Sequence, residues 1–380
     1  MTLSENLPAQ AASGLLLAFA LSAAPLAQAV ENVYKQHNLV SDGFVQADKN
    51  DPNLVNAWGI AFNPTGVDWV ADNGTGVSTL YDGNGVAASL VVHIPTATNN
   101  QEGANPTGIV FNGTKEFVIS NNGVSATALF IFASEDGSIS AWAPGVDPAP
   151  PGQQHAFRQV DPKSGAVYKG LALGADGTRS LLYAADFHNN RIDVFDGTFA
   201  PVNLPGAFKD PYLPAGFAPF GIKNLGGDIY VTYAKQDKDQ HDDVAGKGNG
   251  FVDVFDPNGN LIRRVVTGGK LNSPWGMAIA PAGFGTFSGR LLIGNFGDGR
   301  INAYDLASGE FVGRLRGSDG KPLQIEGLWG IGFGNGFVSQ PVNTLFFAAG
   351  PGDEAHGLYG RIDVVHGMEH PGAHDEDDDD

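Results

Sequence analysis

One short string returns six times along the chain, and that repetition limits the fold more than any other feature. NAWGIAF, NPTGIVF, YKGLAL, APFGIKNL, SPWGMAIA and GLWGIGFG each carry a glycine at the same place: Gly59, Gly108, Gly170, Gly221, Gly276 and Gly330. Neighbouring copies lie 49 to 62 residues apart. After each glycine come short runs rich in β-branched and aromatic residues, such as LLYAADF and RIDVF, broken by Asn-Gly, Asp-Gly and Gly-Gly turns. Such runs are strands joined tightly to one another. Helical periodicity is nearly absent. Units of this length with four short strands are propeller blades. The expectation is an all-β chain, a six-bladed β-propeller of four-stranded blades. Blade five reads as Trp275–Ala280, Arg290–Asn295, Arg300–Asp305 and Glu310–Arg316. Blade six supplies three strands, ending at Ile362–Val365. The stretch Val33 to Asp42, left over before blade one, is expected to close it and remove an exposed edge.

The two ends read differently. Residues 14–29, GLLLAFALSAAPLAQA, have the length and apolarity of a signal peptide and finish on the small-x-small triplet Ala27-Gln28-Ala29. The organisation is then a leader over 1–29, the propeller over 30–366 and an acidic, disordered tail over 367–380. Cleavage near Ala29 would make the protein secreted or periplasmic. No later segment has the length and apolarity of a membrane span. From His366 onward the chain reads HGMEHPGAHDEDDDD, with carboxylates at Glu369, Asp375, Glu376 and Asp377 to Asp380. Like charges at that density favour a solvated tail.

Composition excludes several functions. With 22 Lys+Arg against 41 Asp+Glu the net charge is −19, which repels nucleic-acid backbones. The chain has no cysteine, so disulfides, thiolate metal sites, covalent haem and cysteine nucleophiles are out. No P-loop or dinucleotide fingerprint stands in a strand–helix context, and no haem, flavin or nucleotide is expected. No G-x-S-x-G elbow supports a serine hydrolase.

Two sets of loops should meet on one face of the propeller. Just before the repeated glycines stand Trp58, Thr107, Lys169, Phe220, Trp275 and Trp329. Their aromatic members can form a funnel that stacks a sugar or holds a cation, or can pack the channel mouth shut. After the second strand of each blade come Asp72, Ser134, Asp186, Tyr233, Asn295 and Gly350, with Asn73, Glu135, Asp298, Glu354 and His356 beside them. Carboxylates and amides are hard ligands suited to Ca²⁺ or another divalent cation, and equally serve as turn caps. His188 and His356 are candidates for a general base. An insertion in blade four, AKQDKDQHDDVAGKGNG over 234–250, is too polar for a core. It reads as a solvated flap or a weak calcium-like loop on Asp237, Asp239 and Asp242.

The strings NLVNAWGIAF, ASEDGSISAW, GFVDVFDPNGNL, LNSPWGMAIAP, LIGNFGDGRINAYD, LWGIGFGNG and AGPGDEAHGLYG together span roughly residues 33–365. They resemble an uncharacterised secreted bacterial propeller family. More loosely, the chain is similar to NHL-repeat, gluconolactonase-type and streptogramin-lyase-type six-bladed propellers. The resemblance to gluconolactonase-type propellers implies a divalent metal at the channel, with Asp72, Asp186, Asn295 and Glu354 as its ligands. Two functions remain open. One is a binding or scaffold module that takes a small molecule, glycan or partner protein on the top face through Trp58, Lys169, Phe220, Trp275 and Trp329. The other is a divalent-metal-dependent hydrolase or lyase of the lactonase type.

Overall fold

The computed structural model describes residues 1–2, 33–96, 104–161 and 165–365. The expected leader beyond residue 2 and the acidic tail lie outside the described residues. The rest is a six-bladed β-propeller. Its innermost strands are Ala57–Phe62, Pro106–Phe111, Tyr168–Ala175, Phe217–Leu225, Pro274–Ile279 and Leu328–Phe333. Each packs on the next around the ring, and the last packs on the first.

The repeated glycines explain how the strands come so close. A Cβ built on Gly59 would sit 2.5 Å from the carbonyl oxygen of Thr107, and on Gly221 it would sit 2.2 Å from that of Trp275. Gly276 would meet the Trp329 carbonyl at 2.4 Å, and Gly330 would meet that of Trp58 at 2.6 Å. Gly170 faces the Phe220 carbonyl in the same way, and Gly108 faces the Leu171 amide nitrogen. At five of the six seams the oxygen belongs to the residue just before the next blade's glycine. Only a residue without a side chain lets the backbones approach this far.

The seams carry the core. Six buried apolar clusters lie between successive blades, and a seventh sits on the axis. Blade six is closed as expected. The strand Val33–Ser41 runs antiparallel to Leu358–Val365, from Val33 opposite Val365 to Ser41 opposite Leu358. Tyr34 anchors it, buried against Phe284 and Phe287 with its hydroxyl donating to the Phe284 carbonyl at 3.0 Å.

Blade three departs from the four-strand expectation. Among the described residues it holds Tyr168–Ala175, Ser180–Asp186 and Arg191–Asp196 and no fourth strand. The segment that should supply one contains Pro201, Pro205, Pro211 and Pro214. Proline has no amide hydrogen to give a ladder. Blades one and six instead gain a fifth short strand each, Gln154–His155 and Lys49–Asn50.

Replacing Gly276 by alanine should cost about 1–3 kcal/mol, because the intruding methyl meets backbone that cannot rotate away. A chemical denaturation curve reads this directly. A midpoint unchanged from wild type would show that the seams are looser than described.

Candidate functional site

The axis of the ring is filled with aromatic rings near its upper end. Trp58 and Trp329 stack at 3.5 Å between centroids, and Phe296 stacks on Trp329 at 4.0 Å. Trp275 stands edge-on to both tryptophans. Phe220 packs against Trp329 and Phe187. Trp58, Phe220 and Trp329 are buried and Trp275 is half-buried. The stacking faces are therefore taken up by one another, and an open aromatic funnel does not form. The physical reason is size: four large aromatic side chains on the six inner strands of a narrow ring have more apolar area than the ring has opening. Below them, between Gly59, Gly108, Gly276 and Gly330, lies a cavity of about 30 Å³. It has room for a water or two and is too small for an organic ligand.

Above the rings lies a buried cation. Lys169 is 1% exposed, and its ammonium lies 5.2 Å from the Trp58 ring. Its Nζ donates to Glu135 of blade two, and at 3.1 Å to Asp242 of the blade-four insertion. Burial works against its charge, and the two carboxylates outweigh burial, so its pKa stands above the ordinary lysine value. The other oxygen of Glu135 accepts from Asn73 at 2.9 Å, and Asn73 accepts from Asn56 at 3.2 Å.

The insertion is folded over this point. The Asp237 carboxylate accepts from the backbone amide of His241, and the Asp237 amide donates to the Asp242 carbonyl at 2.8 Å. Gln236 donates to the Phe187 carbonyl at 2.6 Å, which ties the loop to blade three. Asp237 thus caps its own turn and is not part of a calcium-like loop. His241 Nδ1 lies 3.0 Å from Asp242. Burial pushes up the carboxyls of Asp243 and Glu354, and Lys169 partly counters both. Oε1 of Glu354 and Oδ1 of Asn56 are buried with no hydrogen-bond partner among the described residues.

Of the four residues expected to share a metal, Asp72, Asp186 and Glu354 do not form a group with metal-capable geometry. Asp72 is buried and accepts from the Thr79 amide at 3.0 Å. Asp186 caps the amides of Val167 and Asn189 and pairs with Arg191 at 3.1 Å. Asn295 donates to the Lys270 carbonyl and to Asp298. Each bonds groups near its own blade, though Oδ1 of Asp72 and Oδ1 of Asn295 are buried with no hydrogen-bond partner among the described residues, and Glu354 stands at the mouth. Among the described residues, the group with metal-capable geometry is Glu135, His241 and Asp242, whose ligand atoms lie within 4.8 Å of one another.

The two candidate bases are separated. His356 Nδ1 lies 2.7 Å from Asp42, and its ring stacks on Phe44 at 3.9 Å. The backbone carbonyl of His188 accepts from Gln236. A larger cavity, about 730 Å³, lies away from the mouth along the open edge of blade three. Of its charged walls, Asp161, Arg191, Asp193 and Lys209, Arg191 and Asp193 bind each other and Asp161 binds Arg158.

Comparison with known proteins fits this picture. The chain is 34% identical over 339 residues to uncharacterized protein R648 of Acanthamoeba polyphaga mimivirus, covering 87% of this chain and 80% of that protein. It is 34% identical over 336 residues to uncharacterized protein L690 of the same virus, covering 87% and 85%. The chain belongs to their family. These relatives are viral and not bacterial, which corrects the source expected from the resemblance. No family model matches. Among solved structures, a streptogramin B lyase superposes with a TM-score of 0.52 at 13% identity, over 88% of this chain and 98% of that one. A Bacteroides thetaiotaomicron protein of unknown function gives 0.55 at 11% identity, over 88% and 77%. A glucose dehydrogenase gives 0.51 at 13%, over 86% and 99%. At these identities the likeness is one of fold alone.

Lys169→Met should cost about 3 kcal/mol, because it leaves the largely buried Glu135 carboxylate without its cation. Asp242→Asn should cost under about 1 kcal/mol, since the Asp242 side chain is 65% exposed and screened by water. Denaturation curves of the two variants test this ranking. Equal losses would mean that the flap, and not Glu135, holds the lysine.

Proposed function

We propose that the chain is an exported binding propeller whose top face takes a ligand or partner group carrying positive charge. The observation that carries this reading is the carboxylate excess at the mouth. Glu135, Asp242, Asp243 and Glu354 gather around the single ammonium of Lys169. Glu135 and Asp242 alone set two carboxylates against one ammonium, so the site is short of positive charge. An amine or guanidinium placed beside Asp242 and His241 would supply it. The insertion is the natural cover, because it already bridges blades three and four above the axis. A glycan stacked on tryptophan has less support, since Trp58 and Trp329 face each other.

A second reading, a metal-dependent hydrolase or lyase of the lactonase type, rests on the trio Glu135, His241 and Asp242. A divalent ion there would polarise a carbonyl or activate water. In this structure the Lys169 ammonium already bonds two of the three.

Thermal melting of EDTA-stripped protein separates the readings, because a ligand of the folded state alone raises Tm by mass action. Spermidine, arginine methyl ester, Ca²⁺, Mg²⁺ and Zn²⁺ are titrated in turn. A saturable rise with an organic cation, lost in Asp242→Asn, is the expected result. A rise with one metal alone, lost in Glu135→Gln, would favour the enzyme. No rise with any of them would reject the mouth as a site for cations.

A further inference from the structure

The chain is strongly acidic, yet one groove on its side is lined by basic and uncharged residues alone. It lies on the outer edge of blade five, a cavity of about 690 Å³. Its charged walls are Lys270, Arg314 and Arg316, and no carboxylate among the described residues lines it. The described partners of these cations are neutral. Arg314 donates to the Asn302 amide oxygen at 2.9 Å, and Arg316 to the Gly320 carbonyl at 2.7 Å. Lys270 and Arg314 both stand near the Phe311 ring, at 5.9 and 5.8 Å. Phe311 and Val312 are 41% and 45% exposed on the groove floor. Three cations without an acid in a chain with 41 acidic residues call for an anionic partner.

The fold puts such a partner at the rim. Val33 lines the groove, and Val33 is the cross-strand partner of Val365. The chain therefore leaves its last described residue about 5 Å from the groove wall. The next fifteen residues are HGMEHPGAHDEDDDD, seven of them carboxylates. Extended chain covers at most about 3.5 Å per residue, so Glu369 reaches about 14 Å from Val365 and Asp380 about 50 Å. Arg316 is near that starting point, since its carbonyl accepts from the Tyr34 amide at 2.8 Å.

We propose that the acidic segment 366–380 docks in this groove. Its carboxylates supply the negative charge that Lys270, Arg314 and Arg316 lack. Each ion pair is weak and screened by salt, so the docking acts by number and by tethering.

The absence of cysteine makes the test simple. The full chain carrying Val312→Cys and Ala373→Cys is treated with a short bis-maleimide. Thr198→Cys with Ala373→Cys is the control, because Thr198 lies on the outer loop of blade three. The expected result is an intramolecular link to Val312→Cys in 20 mM NaCl, at least fivefold above the control. The yield should fall at least threefold in 500 mM NaCl, to the level that tethering beside the groove gives without ion pairing. It should fall equally when Asp375, Asp377, Asp378, Asp379 and Asp380 become asparagine and Glu376 becomes glutamine, changes that lie outside the propeller. Equal yields for the two pairs, or a yield unaffected by salt, would overturn the proposal. A link formed between two copies and not within one would also overturn it, and would assign the groove to a neighbour's tail.

Discussion

Everything in this molecule hangs on backbone touching backbone at the axis. Six glycines press against the next inner strand at distances that no side chain tolerates. The contact is repeated around a closed ring, so an error at one seam cannot be absorbed by opening another. That closure fixes the channel diameter, and the diameter decides what the residue before each glycine can do. In a wider ring Trp58, Trp275 and Trp329 would have room to present their faces. Here they must stack and meet edge to edge, which seals the channel.

A sealed apolar plug changes the chemistry directly above it. Lys169 occupies the same position in its blade that a tryptophan holds in blades one, five and six. Its ammonium lies over the Trp58 ring, in a place where water is excluded, and needs partners from other blades. Glu135 comes from the neighbouring blade and Asp242 from the insertion of the blade beyond. One cation thus ties blades two, three and four together above the axis. The insertion is held in place by a charge, which is a contact that ionic strength and competing cations can reach.

The parts of this structure legible in the sequence are those written locally and repeatedly. Six glycines in register specify six blades, and a spare strand at Val33 specifies the closure of blade six. The missing strand of blade three is legible in principle, since Pro201, Pro205, Pro211 and Pro214 cannot feed a ladder, but the six-fold repeat masks it by implying four strands in every unit. The site is written less plainly. Asp72 and Asp186 occupy equivalent places in the repeat, yet Asp72 bonds a neighbouring-strand amide and Asp186 caps its own turn, because an aspartate beside a strand finds backbone amides close at hand. The partnership that matters joins residues 34 and 73 positions apart in the chain. No period marks it. Two signals do point that way: the lone lysine among the aromatics before the glycines, and the insertion dense in aspartate.

Closure by the N-terminal strand also decides where the two ends of the propeller emerge. Val33 can pair with Val365 only if both ends meet at the outer edge of blade six, beside blade five. Tyr34 reinforces that choice. Its amide donates to the Arg316 carbonyl at 2.8 Å, and its ring reaches Phe284 and Phe287 of blade five. The strand that locks the ring therefore touches the wall of the basic groove, and the chain beyond Val365 starts beside it. Had the ring closed with a strand from the C-terminus alone, the ends would part at different blades. The groove and the acidic segment would then be strangers. That Val365 lies beside the groove comes from the same hydrogen-bonded ladder that completes blade six.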